Sequence, residues 1–289
     1  MVIVKLSGGL GNQLFQVATA KSLANKLSCE FKIDNHFFNN RPNRVFELCN
    51  FSLVYQEIST FELYKTLHLS KYFLLDLITK NNRVYEKNIN VFNEKHFQFD
   101  PMLYDQNEPV VLNGYWQSEK YFESISSEIR REFVLKNEVH YNSLPISMEI
   151  SNCNSVSIHL RRGDYLNNPI INSIHGVLSD EYYLNSIELL KSKTTIDEVF
   201  VFSDDVNSAN EFIKKYNFGI NISAQSKNAL LDFHLLQKCK HNIIANSSFS
   251  WWAAWLNSNP NKMVIAPNNW FKDESIITDD LFPKSWKIL

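Results

Sequence analysis

Four short clusters in this sequence carry residue types that do chemistry. In the first, Gly8, Gly9 and Gly11 fall within four positions of Ser7-Gly-Gly-Leu-Gly-Asn, although the chain has only seven glycines. Glycine costs conformational entropy on folding, so this concentration needs a geometric reason. A glycine turn before a helix brings backbone N–H groups and the positive end of the helix dipole to an anion. The plainer reading is a tight turn with no ligand. The spacing is neither GxGxxG followed by an acidic residue nor GxxxxGK[ST], which argues against a dinucleotide fold and a P-loop.

The second cluster is His159-Leu-Arg-Arg-Gly-Asp164, at the end of an apolar strand. Two adjacent arginines there suit a fixed anion, because the planar guanidinium fork gives a phosphate two parallel hydrogen bonds. Strand alternation puts His159 and Arg161 on one face and Arg162 on the other. This predicts Arg161 on a phosphate, with Arg162 and Asp164 paired to shape the loop; a purely structural Arg162–Asp164 salt bridge is the alternative. The third cluster, Ser203-Asp204-Asp205, is not spaced as DxD and has no His or Glu cluster beside it. Its predicted role is electrostatic and capping, with Asp204 or Asp205 balancing the arginines or Asp205 opening a helix, and no metal. In the fourth, Asn246-Ser-Ser-Phe-Ser-Trp-Trp-Ala-Ala-Trp-Leu, small hydroxyl residues leave a strand and open a helix, a second anion-binding terminus. Trp251, Trp252 and Trp255 read as core packing. No GxSxG elbow exists for a Ser-His-Asp hydrolase.

The elements that must hold these clusters are βα units. Residues 2–6 read as a strand, and 12–27 carry apolar residues at helical spacing. Strands are expected at 31–33, 110–113, 156–160, 198–202, 242–246 and 264–266. Helices are expected at 60–80, 118–133, 180–191, 205–216, 228–240 and 251–256. Residues 35–107 show a poor pattern otherwise, and 136–154, polar and containing Pro145, are the expected linker. Repeated β-loop-α units mean parallel sheets with ligands at the carboxyl ends of the strands.

Composition sets the outer limits. At 289 residues the chain makes one large or two ordinary domains, and it needs no disulfide or metal for a core. The net charge of −2 carries no basic footprint for nucleic acid. Four scattered cysteines without a CxxC pair read as reduced, buried thiols. The N-terminus has no basic n-region, and no apolar run is long enough for a transmembrane span, which together favour the cytoplasm.

The four clusters resemble the motifs of the bacterial α-1,2-fucosyltransferases, in that family's order and over nearly the whole chain: Ser7-Gly-Gly-Leu-Gly-Asn-Gln-Leu-Phe-Gln, His159-Leu-Arg-Arg-Gly-Asp-Tyr, Val201-Phe-Ser-Asp-Asp and the segment from Asn246. The resemblance implies an α/β chain of the GT-B kind, with two Rossmann-like domains facing a cleft and parallel sheets flanked by helices. An acceptor-side domain would span 1–145 and a donor domain 150–289. It also implies GDP-β-L-fucose as co-substrate, an inverting reaction without metal or other cofactor, and fucosylation at O2 of a terminal β-galactose in bacterial surface-glycan (O-antigen) synthesis. The segment Asp232-Phe-His-Leu-Leu with Ser247 and Ser248 is similar to the donor loop of the α-1,6-fucosyltransferases. By that likeness Asp232 binds guanine, Ser248 the diphosphate, His159 the nucleoside and Arg161 the β-phosphate, while Gly11 and Asn12 approach the diphosphate. The α-1,6 relatives carry a proposed glutamate base eight residues after their first motif arginine, where this chain has Pro169, so that residue does not transfer.

An inverting displacement calls for a base near the acceptor hydroxyl. Asp164 is the first candidate and His175 the alternative, with Asp180 and Glu181 just downstream. The partners expected are GDP-fucose and a galactoside-terminated oligosaccharide or lipid-linked glycan, the latter with loose membrane association; nucleic acid is not expected. Two other readings remain: another GT-B glycosyltransferase with a different nucleotide sugar, and a non-catalytic glycan-binding protein.

Overall fold

The computed structural model describes residues 1–40, 44–66, 91–163 and 169–289. They form two compact units, one of Met1–Val134 with Asp279–Leu281 and one of Leu135–Thr278 with Phe282–Leu289. The C-terminal tail therefore contributes to both.

Unit 1 runs β1 (Val2–Lys5), α1 (Leu10–Leu27), β2 (Phe31–Asp34), β3 (Gln56–Glu57), α2 (Thr60–Thr66), β4 (Val91–Asn93), β5 (Val110–Asn113) and α3 (Ser126–Glu132). The strands pair in the order β3-β2-β1-β5-β4, all parallel. The apolar residues of β1 (Val2, Ile3 and Val4) are wholly buried, as a central parallel strand covered on both faces requires. The expected helix at 118–133 is broken into two 3-10 turns, Glu119–Tyr121 and Glu123–Ile125, before α3. Ser118 caps the first turn by accepting from the Lys120 N–H at 3.3 Å. Of the helix expected at 60–80, the part beyond Thr66 lies outside the described residues. β3 and β4 arise in the stretch where the sequence pattern is poor.

Unit 2 runs α4 (Glu138–Asn142), α5 (Pro145–Asn152), β6 (Ser155–Leu160), α6 (Pro169–His175), α7 (Asp180–Lys191), β7 (Glu198–Ser203), α8 (Val206–Tyr216), β8 (Ile220–Asn221), α9 (Ser223–Ser226), α10 (Ala229–Lys238), β9 (His241–Ile243), α11 (Ser248–Leu256), β10 (Val264–Ala266) and β11 (Lys287–Ile288). The parallel sheet has the order β11-β10-β9-β6-β7-β8. The stretch 136–154, expected as a linker, is instead folded into this unit. Tyr141 on α4 packs its ring 5.5 Å from His234 on α10, and the same helix's Asn142 contacts His234 Nε2 at 3.1 Å.

Every residue of β6 is buried. Val156, Ile158 and Leu160 join Tyr183, Ile187 and Leu190 of α7 and Ala209 and Phe212 of α8 in one core cluster. Ser157 belongs to a buried polar chain: Asn242 donates to its hydroxyl at 2.8 Å, and Asn257 donates to Asn242 at 2.8 Å. Trp251, Trp252 and Trp255 are buried and pack on one another, with Trp286 5.4 Å from Trp251. The four cysteines form no disulfide, but only Cys239 is buried: Cys29 and Cys153 are half-buried and Cys49 is exposed, contrary to the expectation that all are buried. Among the described residues, no helix is long and apolar enough to cross a membrane.

Candidate active site

In unit 2 the chain leaves β6 toward β7 and β8 on one side, then returns to build β9, β10 and β11 on the other. The strand order reverses between β6 and β9, and open α/β sheets bind ligands outside the carboxyl ends of their strands at such a point. The two loops that meet there are Arg161–Gly163 and Ile244–Ser247, the second leading into α11.

Asp204, just beyond β7, holds the first loop. Its Oδ1 accepts the Arg162 N–H at 2.9 Å and the Gly163 N–H at 3.1 Å, and its Oδ2 lies 3.1 Å from Arg161 Nη1. A Cβ on Gly163 would stand 2.8 Å from that same Oδ2, so only glycine lets the backbone come this close. Arg162 turns instead to Asp180 at the start of α7, with Nη2–Oδ1 at 2.5 Å. Among the described residues Arg162 pairs with Asp180; its expected partner Asp164 lies outside the described residues. Asp180 also accepts from Lys215 Nζ and the Tyr216 hydroxyl, each at 2.9 Å. Partial burial pushes the Asp180 carboxyl up, but Lys215, Arg162 and Tyr216 outweigh it and hold it below its ordinary range. A carboxylate so engaged is a positioning group for Arg162 and a poor proton acceptor. Asp205 caps α8, accepting the Asn207 and Ser208 N–H groups at 3.0 and 3.2 Å.

His159 is 4% exposed, and its ring lies 5.7 Å from that of Phe249 in the first turn of α11. Burial pushes its pKa down to about 4, with Arg161 adding to the fall and Asp204 opposing it, so the imidazole is neutral at pH 7. Its Nδ1 is buried without a hydrogen-bond partner among the described residues. Ser247 stands at the N-cap of α11 but makes no side-chain capping bond, and Ser248 follows as the first helical residue. Asn246 ties this loop to the His175 carbonyl at 2.8 Å, which brings His175 beside the second loop, its ring 5.3 Å from Phe271. Asp232, on α10, accepts from Ser223 at 2.5 Å and from Ser226. Ser223 in turn accepts the Ser203 N–H at 2.9 Å, so Asp232 is linked to the end of β7. Burial raises the Asp232 carboxyl, and the two serines partly offset that. Among the described residues, no group of three or more His, Cys, Asp or Glu side chains could hold a metal ion.

Gly11 and Asn12 belong to unit 1, in the first turn of α1. Gly8 adopts φ +79°, and a Cβ there would meet Asn12 Nδ2 at 2.4 Å. The Leu10 N–H at this helix start faces a carboxylate of the chain itself, Glu47. Burial raises that carboxyl, while the Leu10 N–H and Arg44 pull it down. Sequence reasoning missed Gln13 and Gln16, both wholly buried on α1. Gln13 spans the Val45 carbonyl at 2.8 Å and the Glu47 N–H at 3.0 Å. Gln16 spans the Ser7 N–H at 3.0 Å and the Gly114 carbonyl at 2.8 Å. The available signal was two glutamines interleaved with Leu14, Phe15 and Val17 in the first half of this helix.

A match to the family described as glycosyl transferase family 11 spans residues 1–289. The chain belongs to glycosyl transferase family 11. Its relatives include the O-antigen biosynthesis glycosyltransferase WbnK of Escherichia coli, 32% identical over 92% of this chain and 93% of the relative. An alpha-1,2-colitosyltransferase of Escherichia coli is 31% identical over 99% of this chain and 98% of its own. Galactoside alpha-(1,2)-fucosyltransferase 1 of Homo sapiens is 26% identical over 53% of this chain and 44% of its own. Among solved structures, a mutant of Arabidopsis thaliana FUT1 in complex with GDP aligns with a TM-score of 0.52 at 12% identity, over 98% of this chain and 75% of that one. The likeness is one of fold: this family 11 member is a GT-B-type α/β chain of parallel sheets flanked by helices, the class its sequence predicts. As a family 11 member it is a glycosyltransferase.

Proposed function

We propose that this protein is a galactoside α-1,2-fucosyltransferase, transferring L-fucose from GDP-β-L-fucose to O2 of a terminal β-galactose with inversion and without metal. The observation that carries this reading is the set of groups converging at the β6/β9 switch point: Arg161 held by Asp204, neutral His159, and the α11 N-terminus, where the Ser247 side chain makes no capping bond. Departure of GDP builds negative charge on the β-phosphate. A preorganised guanidinium and a helix N-terminus stabilise that charge with little reorganisation. Asp204 and Asp180 fix the two arginines before the donor arrives. Ser248 contributes to the diphosphate site. Neutral His159 offers Nδ1 to the nucleoside, and Asp232, each oxygen already accepting one hydroxyl, keeps lone pairs for guanine N–H groups. The base that takes the O2 proton is Asp164 or His175. The setting is surface-glycan synthesis at the cytoplasmic side, on a free or lipid-linked acceptor, which the O-antigen relative supports.

A second donor is favoured by one observation, the alpha-1,2-colitosyltransferase that matches nearly the full chain. Colitose is the 3-deoxy counterpart of fucose, so the two donors differ by one hydroxyl. A site that hydrogen-bonds this hydroxyl rejects the donor lacking it by orders of magnitude. Competition between GDP-fucose and GDP-colitose for one acceptor tests the choice. Preference for GDP-fucose is expected; preference for GDP-colitose overturns the sugar assignment, and stabilisation by UDP but not GDP overturns the nucleotide as well.

A further inference from the structure

Asp232 sits in the first turn of α10 and is 9% exposed. Among the described residues no basic side chain pairs with it. Burial raises its carboxyl, and the hydroxyls of Ser223 and Ser226 only partly offset that. Burying a carboxylate without a cation is costly, and an apolar or amide side chain would fill the place with a smaller desolvation penalty. A carboxylate retained there, directly before the wholly buried Phe233, points to hydrogen-bond donors supplied by a ligand.

The two serines divide the carboxylate between them. Ser223 donates to Oδ2 at 2.5 Å and Ser226 donates to Oδ1. Both belong to α9, a single turn that is itself fixed on several sides. Ser223 Oγ accepts the Ser203 N–H at 2.9 Å, the Ile222 N–H donates to the Val201 carbonyl at 2.9 Å, and Asn221 Oδ1 accepts the Ala224 N–H at 3.1 Å. Lys227, between α9 and α10, takes φ +47°, a left-handed conformation uncommon for a residue with a side chain. Rotation of a carboxylate about its Cβ–Cγ bond is soft by itself. With one hydroxyl on each oxygen the plane is set. A carboxylate has about four lone-pair positions, so one on each oxygen stays open.

We propose that Ser223 and Ser226 are positioning residues that make Asp232 a two-point acceptor and so set the preference for guanine over purines with a single donor on that edge. This rests on the reading of Asp232 as the guanine ligand of a GDP-sugar-dependent transferase. Guanine offers N1–H and a 2-amino N–H side by side, one for each open lone pair. Hypoxanthine keeps N1–H but lacks the amine, so it leaves one carboxylate oxygen short of a partner. When one serine hydroxyl is removed, the carboxylate turns, the two-point match is lost and a single bond survives. The serines therefore act on discrimination more than on binding as such. Ser203, whose N–H Ser223 accepts, directly precedes Asp204, the partner of Arg161, so the base contact and the phosphate contact are built on the same strand end.

The test is isothermal titration calorimetry with GDP and IDP on the wild type and on Ser226→Ala, Ser226→Thr, Ser223→Ala and Asp232→Ala, with the fold of each checked by its melting temperature without nucleotide. The wild type is expected to prefer GDP by about tenfold or more. Ser226→Ala and Ser223→Ala should cut that ratio to about twofold, mainly by weakening GDP, and Ser226→Thr, which keeps the hydroxyl, should restore it. Ser226 is half-buried and loses only a hydroxyl, so the test stands even if Ser223→Ala, which strips the Ser203 N–H of its acceptor, misfolds. An unchanged GDP:IDP ratio in Ser226→Ala, or an equal loss of both nucleotides, would overturn the proposal. Asp232→Ala separates this from the reading beneath it. If it abolishes the preference while Ser226→Ala keeps it, Asp232 binds guanine without the serines and only the positioning claim falls. If Asp232→Ala keeps the preference, or the wild type shows none, the guanine assignment falls and the proposal with it.

Discussion

Arg161 and Arg162 are neighbours with different tasks. Arg161 meets Asp204 beyond β7, while Arg162 turns to Asp180 on α7. That division gives a prediction at the residue scale. Arg161→Ala removes the group assigned to the leaving phosphate and should lower kcat on the order of a hundredfold, the usual cost of one charge-stabilising donor. Near-wild-type turnover in a folded Arg161→Ala protein would remove the phosphate assignment. The adjacent arginines were legible because two guanidinium groups after an apolar strand need an anionic partner. Their partners were not. Asp180 lies 18 positions and Asp204 42 positions from Arg162 along the chain, so only folding brings them together.

At the scale of elements, the strand–glycine–helix start and the βα units of unit 2 could be read directly, because their apolar periodicity is strong and their turns fall at Gly, Ser or Asp. The break at 118–126 could not be read. There Ser118 and Asp280, far apart in sequence, share a hydrogen bond at 2.5 Å that no local pattern signals. The fold of 136–154 was hidden for the same reason, since its polar appearance gives no hint of Tyr141 packing on His234. The buried glutamines of α1 carry a second prediction. Gln16→Leu leaves the Ser7 N–H and the Gly114 carbonyl without their partner, and burying such groups unpaired costs about 1–3 kcal/mol each. Urea unfolding should show a loss of about 2–4 kcal/mol. A loss below about 0.5 kcal/mol would mean that water or another side chain replaces the amide.

For the whole molecule, pH enters through buried histidines. Burial and Lys238 push His234 down to about 4, against an ordinary value near 6.5. The unfolded chain therefore binds a proton in this window that the folded chain refuses, and stability falls as pH drops from about 6.5 toward 4. His234→Gln should show a smaller drop in melting temperature between pH 7 and pH 4.5 than the wild type. Equal drops would mean that His234 is protonated in the folded state at its ordinary pKa.

The central claim is fucosyl transfer through an arginine-and-helix phosphate site. Its most direct test is incubation of GDP-fucose and lactose with the purified protein in EDTA, with NMR of the product. The account predicts a new α-linked fucose on galactose O2, formed at the same rate with and without added magnesium. Fucose on another hydroxyl, a β linkage, or transfer that requires the metal would contradict it.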